Sequence, residues 1–412
     1  MKGIHGAMPH TPTRPAPGFN RRDFVKSAGL GLGAAFLETS RGFGADHAGN
    51  PKIPAAIIGH TGQGNYGHGL DLVFNDRDNI QVVAVADPVA SGRANAAQAS
   101  RALRQYEDYR VMLETEKPKL VSIAPRWTDQ HLAMALATLQ AGAHVYVEKP
   151  IARDLAEADQ ILAAAHQAGL KVAVAHQMRL APSILHLKTS LDRGVLGDLQ
   201  GIRAYGKQDG RSGGEDMLVL GTHLLDLMRF FAGDALWCNA RVMQNGRDIT
   251  RADTHLPTEN IGLVAGNAIE AQFAFPNGVQ GTFTSRPKLR STIGHWGLEL
   301  IGSKSTARIL ADVFPTVFLL KPGDWEASGK TERWAPLEGD PGLTATPAER
   351  GFIPANRRVV DDWLEAIQKN REPICSGRAA TKALEMIMAV YESALSGRRV
   401  ALPLKKRTHP LG

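Results

Sequence analysis

The sequence predicts an α/β protein: a doubly wound parallel sheet, then an α+β domain with a large, mostly antiparallel open sheet. Three observations predict it. Short apolar runs alternate with helical patterns over residues 51–176, the signature of strands joined by crossover helices. The first of those runs enters a glycine-rich turn, and a later one ends in an acid, a lysine and a proline. Beyond residue 177 longer strand-like segments follow one another with turn residues between them, which reads as a second layer. The domains are therefore placed at 51–176 and 177–404, after a leader at 1–50 and before a basic tail at 405–412 that is expected to be mobile.

In chain order, residues 53–58 form a buried strand that runs into Gly59-His60-Thr61-Gly62-Gln63-Gly64. An apolar helical pattern at Leu70, Val73 and Phe74 follows. Strand, glycine turn and helix N-terminus together can cradle a pyrophosphate, because backbone N–H groups and the helix dipole face the anion. Gly59, Thr61, Gly62, Gln63 and Gly64 are the candidates, although Thr61 stands where a second glycine is usual. A second strand, 80–86, ends in Asp87, an acid placed to accept ribose hydroxyls and repel a 2′-phosphate. That favours NAD over NADP. A third strand, 120–124, leads to Pro125-Arg126-Trp127 and a helix over 128–141.

The segment Val145-Tyr146-Val147-Glu148-Lys149-Pro150 is the next strand and the organising one. Asp154 caps a helix over 154–168, and a strand at 171–175 follows. Parallel sheets bind ligands outside the carboxyl ends of their strands, so Glu148 and Lys149 lie at a candidate site. A partly desolvated lysine can polarise an oxygen or exchange a proton with it.

In the second half, helices are expected at 183–194 and around Gly221–Met228, with strands at 199–205, 237–243, 260–275, 278–286, 297–302 and 306–312. Residues 313–355 read as a long surface loop, helices at 357–369 and 379–396 close the body, and 400–404 is a last short strand.

The net charge of +7 is terminal: residues 1–50 carry +3, residues 398–412 carry +5, and the body between them is near neutral at −1. Nucleic acid is not an expected partner. The 14 histidines and two cysteines show no metal-ligand spacing, so no metal is expected, and Cys238 and Cys375 are too far apart in sequence to say whether they pair. Asn20-Arg21-Arg22-Asp23-Phe24-Val25-Lys26 before the short apolar stretch 27–37 resembles a twin-arginine signal. It implies the twin-arginine export machinery as a partner and a periplasmic or otherwise exported protein.

Taken together, Gly59–Gly64, Asp87, Ile123-Ala124-Pro125 with His131, Glu148-Lys149-Pro150, His176-Gln177-Met178-Arg179 and Tyr391-Glu392-Ser393-Ala394 occur in the order seen in one family. The chain resembles the Gfo/Idh/MocA oxidoreductases over about residues 52–404. The resemblance implies a Rossmann domain with NAD bound across the sheet, its nicotinamide near Pro125 and Glu148. Lys149 and His223 would be catalytic, and Arg179, Asp216 and Trp127 would contact a sugar, sugar derivative or cyclitol. It also implies a homo-oligomer formed through the C-terminal sheet. Members commonly carry an aspartate four residues before the second-domain histidine; here that position is Val219, with Glu215 and Asp216 as substitutes. Two other readings stay open: a glycoside hydrolase that uses bound NAD for transient oxidation and elimination, and an inactive cofactor-binding protein.

Overall fold

The computed structural model describes residues 51–287, 296–320 and 334–412. The twin-arginine-like segment lies outside the described residues.

The first sheet has six strands: β1 (Ile53–Ile58), β2 (Ile80–Ala86), β3 (Arg104–Tyr106), β4 (Leu120–Ile123), β5 (His144–Val147) and β6 (Val172–Val174). Their order is β3-β2-β1-β4-β5-β6, with every pair parallel. Chain order reverses between β1 and β4, so their carboxyl ends open a crevice there. β3 and the helices Ala90–Ser100 and Tyr109–Glu116 were not foreseen. β3 is three residues of mostly exposed edge, Arg104-Gln105-Tyr106, with no apolar alternation to mark it.

The second sheet is mixed and mostly antiparallel. Its first strands in the chain are β7 (Leu199–Tyr205), β8 (Trp237–Gln244), β9 (Arg247–Asp248, paired to β8 alone), β10 (Ala268–Ala274), β11 (Gln280–Ser285), β12 (Gly297–Gly302) and β13 (Thr306–Leu310). The expected loop at 313–355 in fact supplies β14 (Thr316–Leu320) and β15 (Trp334–Pro336), and β16 (Val400–Ala401) closes the other edge beside β8.

Two expectations fail for clear reasons. The helix after the glycine turn does not form. Gly62, Gly64, Asn65, Gly67 and Gly69 all hold positive φ, and so does Asp76, so right-handed helix is interrupted repeatedly up to residue 69 and again at 76, and the segment folds as successive turns. The basic tail is held rather than loose. Arg407 pairs with Asp159 at 2.7 Å and with Glu385 at 2.5 Å, and its carbonyl accepts from Ala156 N at 2.9 Å.

The helix Phe352–Gln368 arises late in the chain yet covers a face of the first sheet. Val359, Val360 and Trp363 are fully buried against β1 and β5 residues such as Ile57 and Tyr146. Asn356 ties that helix to the site: it accepts from Tyr146 Oη at 2.9 Å and donates to the His68 carbonyl at 3.0 Å.

Candidate functional site

At the end of β1 the glycine turn is pinched by paired backbone hydrogen bonds between His60 and Asn65. Gly64 faces the ends of β4: a Cβ there would lie 2.4 Å from Arg126 N and 2.5 Å from Trp127 N. Gly67 is as constrained, since its Cβ would meet Glu148 Oε2 at 2.5 Å. Both positions need positive φ and the absence of a side chain. Gln63 Oε1 accepts from Gln130 at 3.1 Å, joining the turn to the far wall.

A cavity of about 290 Å³ opens beside this turn, lined by Gly59, Asp87, Glu107, Arg110, Gln130 and Met134 among others. Asp87 is fully buried, and its carboxylate is already engaged. Oδ2 accepts from Thr61 N (3.0 Å) and Oγ1 (2.7 Å), and Oδ1 accepts from Val89 N (2.8 Å). Asp87 therefore fixes the turn and lends its charge to the cavity wall. The expected grip on both ribose hydroxyls is not free in this arrangement. The residues nonetheless fit a dinucleotide. The wall carries Asp87, Glu107 and Asp108 against Arg110, which disfavours an extra phosphate, and the Tyr66 ring packs where a Gly59 side chain would lie.

At the end of β5 both ionisable side chains are buried. Glu148 Oε2 accepts from His68 Nδ1 (3.0 Å) and the His68 backbone N–H (3.3 Å), and Oε1 accepts from Lys149 N (2.9 Å). Burial pushes the Glu148 carboxyl up, but the His68 hydrogen bond and the charges of His68 and Lys149 outweigh it and hold it below its usual value. Lys149 Nζ donates to the Val219 carbonyl at 2.9 Å. Burial lowers the Lys149 pKa; Glu148 and Glu259 oppose this, and Arg126 and Arg211 add to it. His131 links the ends of β4 and β5, its ring nitrogens 2.8 and 2.9 Å from the carbonyls of Pro125 and Pro150.

The Val219 carbonyl is available because Met217–Gly221 is a π-helical turn inside the helical stretch that continues as Thr222–Ala232. A π-turn breaks the regular i to i+4 ladder and turns main-chain groups outward. The position that lacks an acid thus meets Lys149 through its backbone. One turn on, His223 is buried with Nδ1 unpartnered, and its ring centroid is 5.4 Å from that of His176. Burial first, then the charges of Lys149, His176 and His68, keeps the His223 imidazole neutral well below its usual pKa.

Two expected substrate contacts are committed elsewhere. Arg179 donates to both carboxylate oxygens and the carbonyl of Asp226, and both residues are buried. Asp216 does not substitute at His223 or Lys149. Its oxygens accept from Ser285 Oγ (2.7 Å) and from the N–H groups of Lys207 (3.1 Å) and Gln208 (3.3 Å). Burial lifts its pKa to about 6 against those hydrogen bonds. Trp127 is half-buried beside Gly64.

Sequence reasoning missed His68 and a run of alternating charges near Lys149. Lys207 Nζ lies 3.5 Å from Asp209, Arg211 bridges Asp209 (2.6 Å) to Glu259 (2.8 Å), and Arg126 lies 3.7 Å from Glu259. The Tyr66-Gly67-His68 spacing after the turn was the one available signal for His68.

The comparisons agree with this architecture. A family model described as the oxidoreductase family's NAD-binding Rossmann fold matches residues 53–176, and one for its C-terminal alpha/beta domain matches 203–402. The chain is 26% identical to the D-apiose dehydrogenase of Paraburkholderia graminis, over 80% of this chain and 85% of that one. It is also 26% identical to a trans-1,2-dihydrobenzene-1,2-diol dehydrogenase of Sus scrofa, over 60% of this chain and 71% of that one. A levoglucosan dehydrogenase solved with NADH and levoglucosan shares the fold, with a TM-score of 0.67 at 19% identity over 86% of this chain and all (100%) of that one. With both models of one family matched in chain order over the residues that build the two sheets, the chain belongs to the Gfo/Idh/MocA family of NAD(P)-dependent oxidoreductases acting on CH–OH groups.

Proposed function

We propose that this protein is an exported NAD-dependent dehydrogenase of a sugar, sugar derivative or cyclitol. The observation that carries the reading is Lys149. Its buried amine sits at the carboxyl end of β5, held by one main-chain carbonyl and close enough to His223 for their charges to interact. NAD bound at the crevice supplies the hydride acceptor for a carbinol carbon. The turn Gly59–Gly64 and the cavity beside Asp87 would hold its nucleotide part, with Pro125 and Glu148 toward its reactive end. The chain's own residues handle the proton. Lys149, with its pKa lowered by burial, takes the alcohol proton in its neutral form, and the neutral His223 ring orients the same oxygen. Glu148 is fixed by His68, so it sets the local charge without leaving its place.

Export follows from the Arg21-Arg22 segment, and it has a consequence for the cofactor. Free nicotinamide nucleotide is scarce outside the cytoplasm, so NAD is carried on the folded protein and regenerated there. D-Apiose dehydrogenase among the relatives supports the substrate class.

The test is Lys149→Ala against a panel of sugars and cyclitols, following reduced nicotinamide and product mass together. Turnover is expected to fall by about two orders of magnitude, the usual loss of an oxygen-stabilising donor, with the melting temperature near wild type. An active Lys149→Ala enzyme would overturn the assignment. A glycoside cleaved to its aglycone and an unoxidised sugar would point to the eliminating hydrolase.

A further inference from the structure

The free end of the charge run bears on which substrate this is; the argument rests on the dehydrogenase reading above. Parallel register pairs Ile123 of β4 with Val147 of β5. Arg126 follows the end of β4 by three residues and Lys149 follows the end of the neighbouring β5 by two. Both therefore stand at the carboxyl ends of adjacent parallel strands, and the Arg126 charge acts on the Lys149 amine. Its backbone is anchored, with the N–H donating to the Gly64 carbonyl at 3.2 Å.

Its guanidinium is not anchored. The acceptor it approaches is Glu259 Oε2 at 3.7 Å, beyond hydrogen-bond reach, and Glu259 is already held by Arg211 at 2.8 Å. The side chain is 36% exposed. Arg211, by contrast, donates from Nε and both terminal nitrogens to Asp209 and Glu259. A second group in the same site is also unsatisfied: His223 Nδ1 is buried without a partner. Lys149 Nζ has a neutral carbonyl rather than a carboxylate as its partner. The site thus presents a planar fork of donors that makes no side-chain hydrogen bond and has only Glu259, 3.7 Å away and shared with Arg211, as a counter-charge. A hydroxyl satisfies one such donor; a carboxylate satisfies two in parallel.

We propose that Arg126 is a specificity-determining residue and that the substrate is a sugar acid. Its carboxylate lies against the Arg126 fork while a nearby carbinol reaches Lys149 and His223. Aldonates and uronates have this form. The pyrophosphate of the cofactor offers similar anionic chemistry, so the experiment separates the two sources.

The full chain, loaded with NAD, is titrated by calorimetry and assayed with aldonates and uronates beside the matching neutral aldoses and alditols. NAD affinity is measured separately. Wild type is expected to bind and oxidise the acids in preference to their neutral counterparts. Arg126→Gln should weaken acid binding and raise KM for acids roughly 10- to 100-fold, the range for a hydrogen bond to a charged group, and so collapse the acid-to-neutral ratio. Its NAD affinity and melting temperature should stay at wild-type values. Arg126→Lys should recover part of the ratio, because it restores charge without the fork. A wild type with no preference for acids overturns the proposal. So does an Arg126→Gln protein that loses NAD binding in step with acid binding, which would give the guanidinium to the pyrophosphate. Arg126-dependent acid binding with no oxidised acid found by product mass, with or without an added hydride acceptor, would retain the anion site and reject the dehydrogenase reading. Oxidation of neutral sugars with a silent Arg126→Gln would do the reverse.

Discussion

Two arginine clusters flank the candidate site, and they are built in opposite ways. On the side of the Thr222–Ala232 helix, Arg179 is 7% exposed and donates to both oxygens of Asp226, with Phe230 beneath its guanidinium at 5.1 Å. On the side of β4, Arg126 is partly exposed, shares Glu259 with Arg211 and makes no close hydrogen bond through its side chain. The first cluster is closed and positions the floor of the site; the second is open and can accept a ligand. An arginine in a cleft therefore reads as a binding residue only once its acceptors have been counted. Arg179 has its full complement, and Arg126 does not.

The largest expected effect breaks the closed cluster. Asp226→Ala leaves the Arg179 charge buried without a partner and should cost about 3–5 kcal/mol in denaturant unfolding. A loss below about 1 kcal/mol would show that Arg179 escapes to solvent and that the cluster is not closed.

A related effect should appear in acid. His176 lies 3.9 Å from Asp226, too far for a hydrogen bond, and burial holds its pKa at about 4 despite that carboxylate. Unfolded, it titrates near roughly pH 6.5. As pH falls through that value the unfolded chain takes up a proton that the folded chain refuses, so stability falls from there down to the folded pKa. Each unit of difference is worth about 1.4 kcal/mol. His176→Gln should flatten the stability curve over this window without touching it near neutrality. An unchanged acid slope would mean that His176 is charged in the folded protein.

Val219→Asp addresses Lys149 directly. The Lys149 amine now has a carbonyl as its hydrogen-bond partner, and burial lowers its pKa against the more distant charges of Glu148 and Glu259. A carboxylate there should raise its pKa by about 1–3 units and move the rising limb of kcat/KM for oxidation to higher pH. A limb that stays in place would assign it to another group. The smallest effect is expected in the open cluster: Glu259→Gln should change stability by under about 1 kcal/mol, as for other partly exposed pairs.

The sequence by itself determined the local matters. Alternating strands and helices, the glycine turn at 59–64 and the strand ending in Glu148-Lys149-Pro150 were legible because apolar periodicity and turn residues act over a few neighbours. Even locally there was a limit: Leu70, Val73 and Phe74 carry a helical pattern, but positive φ at Gly69 and again at Asp76 confines it to a short run of turns. Periodicity says which face is buried and not what it is buried against. Only the tertiary structure brought His68 to Glu148, the Val219 carbonyl to Lys149 and Asp226 to Arg179. It also placed the helix Phe352–Gln368, with Trp363, on the first sheet rather than the second. The reason is physical. A buried donor or charge takes whichever acceptor long-range packing delivers, and for Lys149 that acceptor is a main-chain carbonyl rather than the side chain a motif would name.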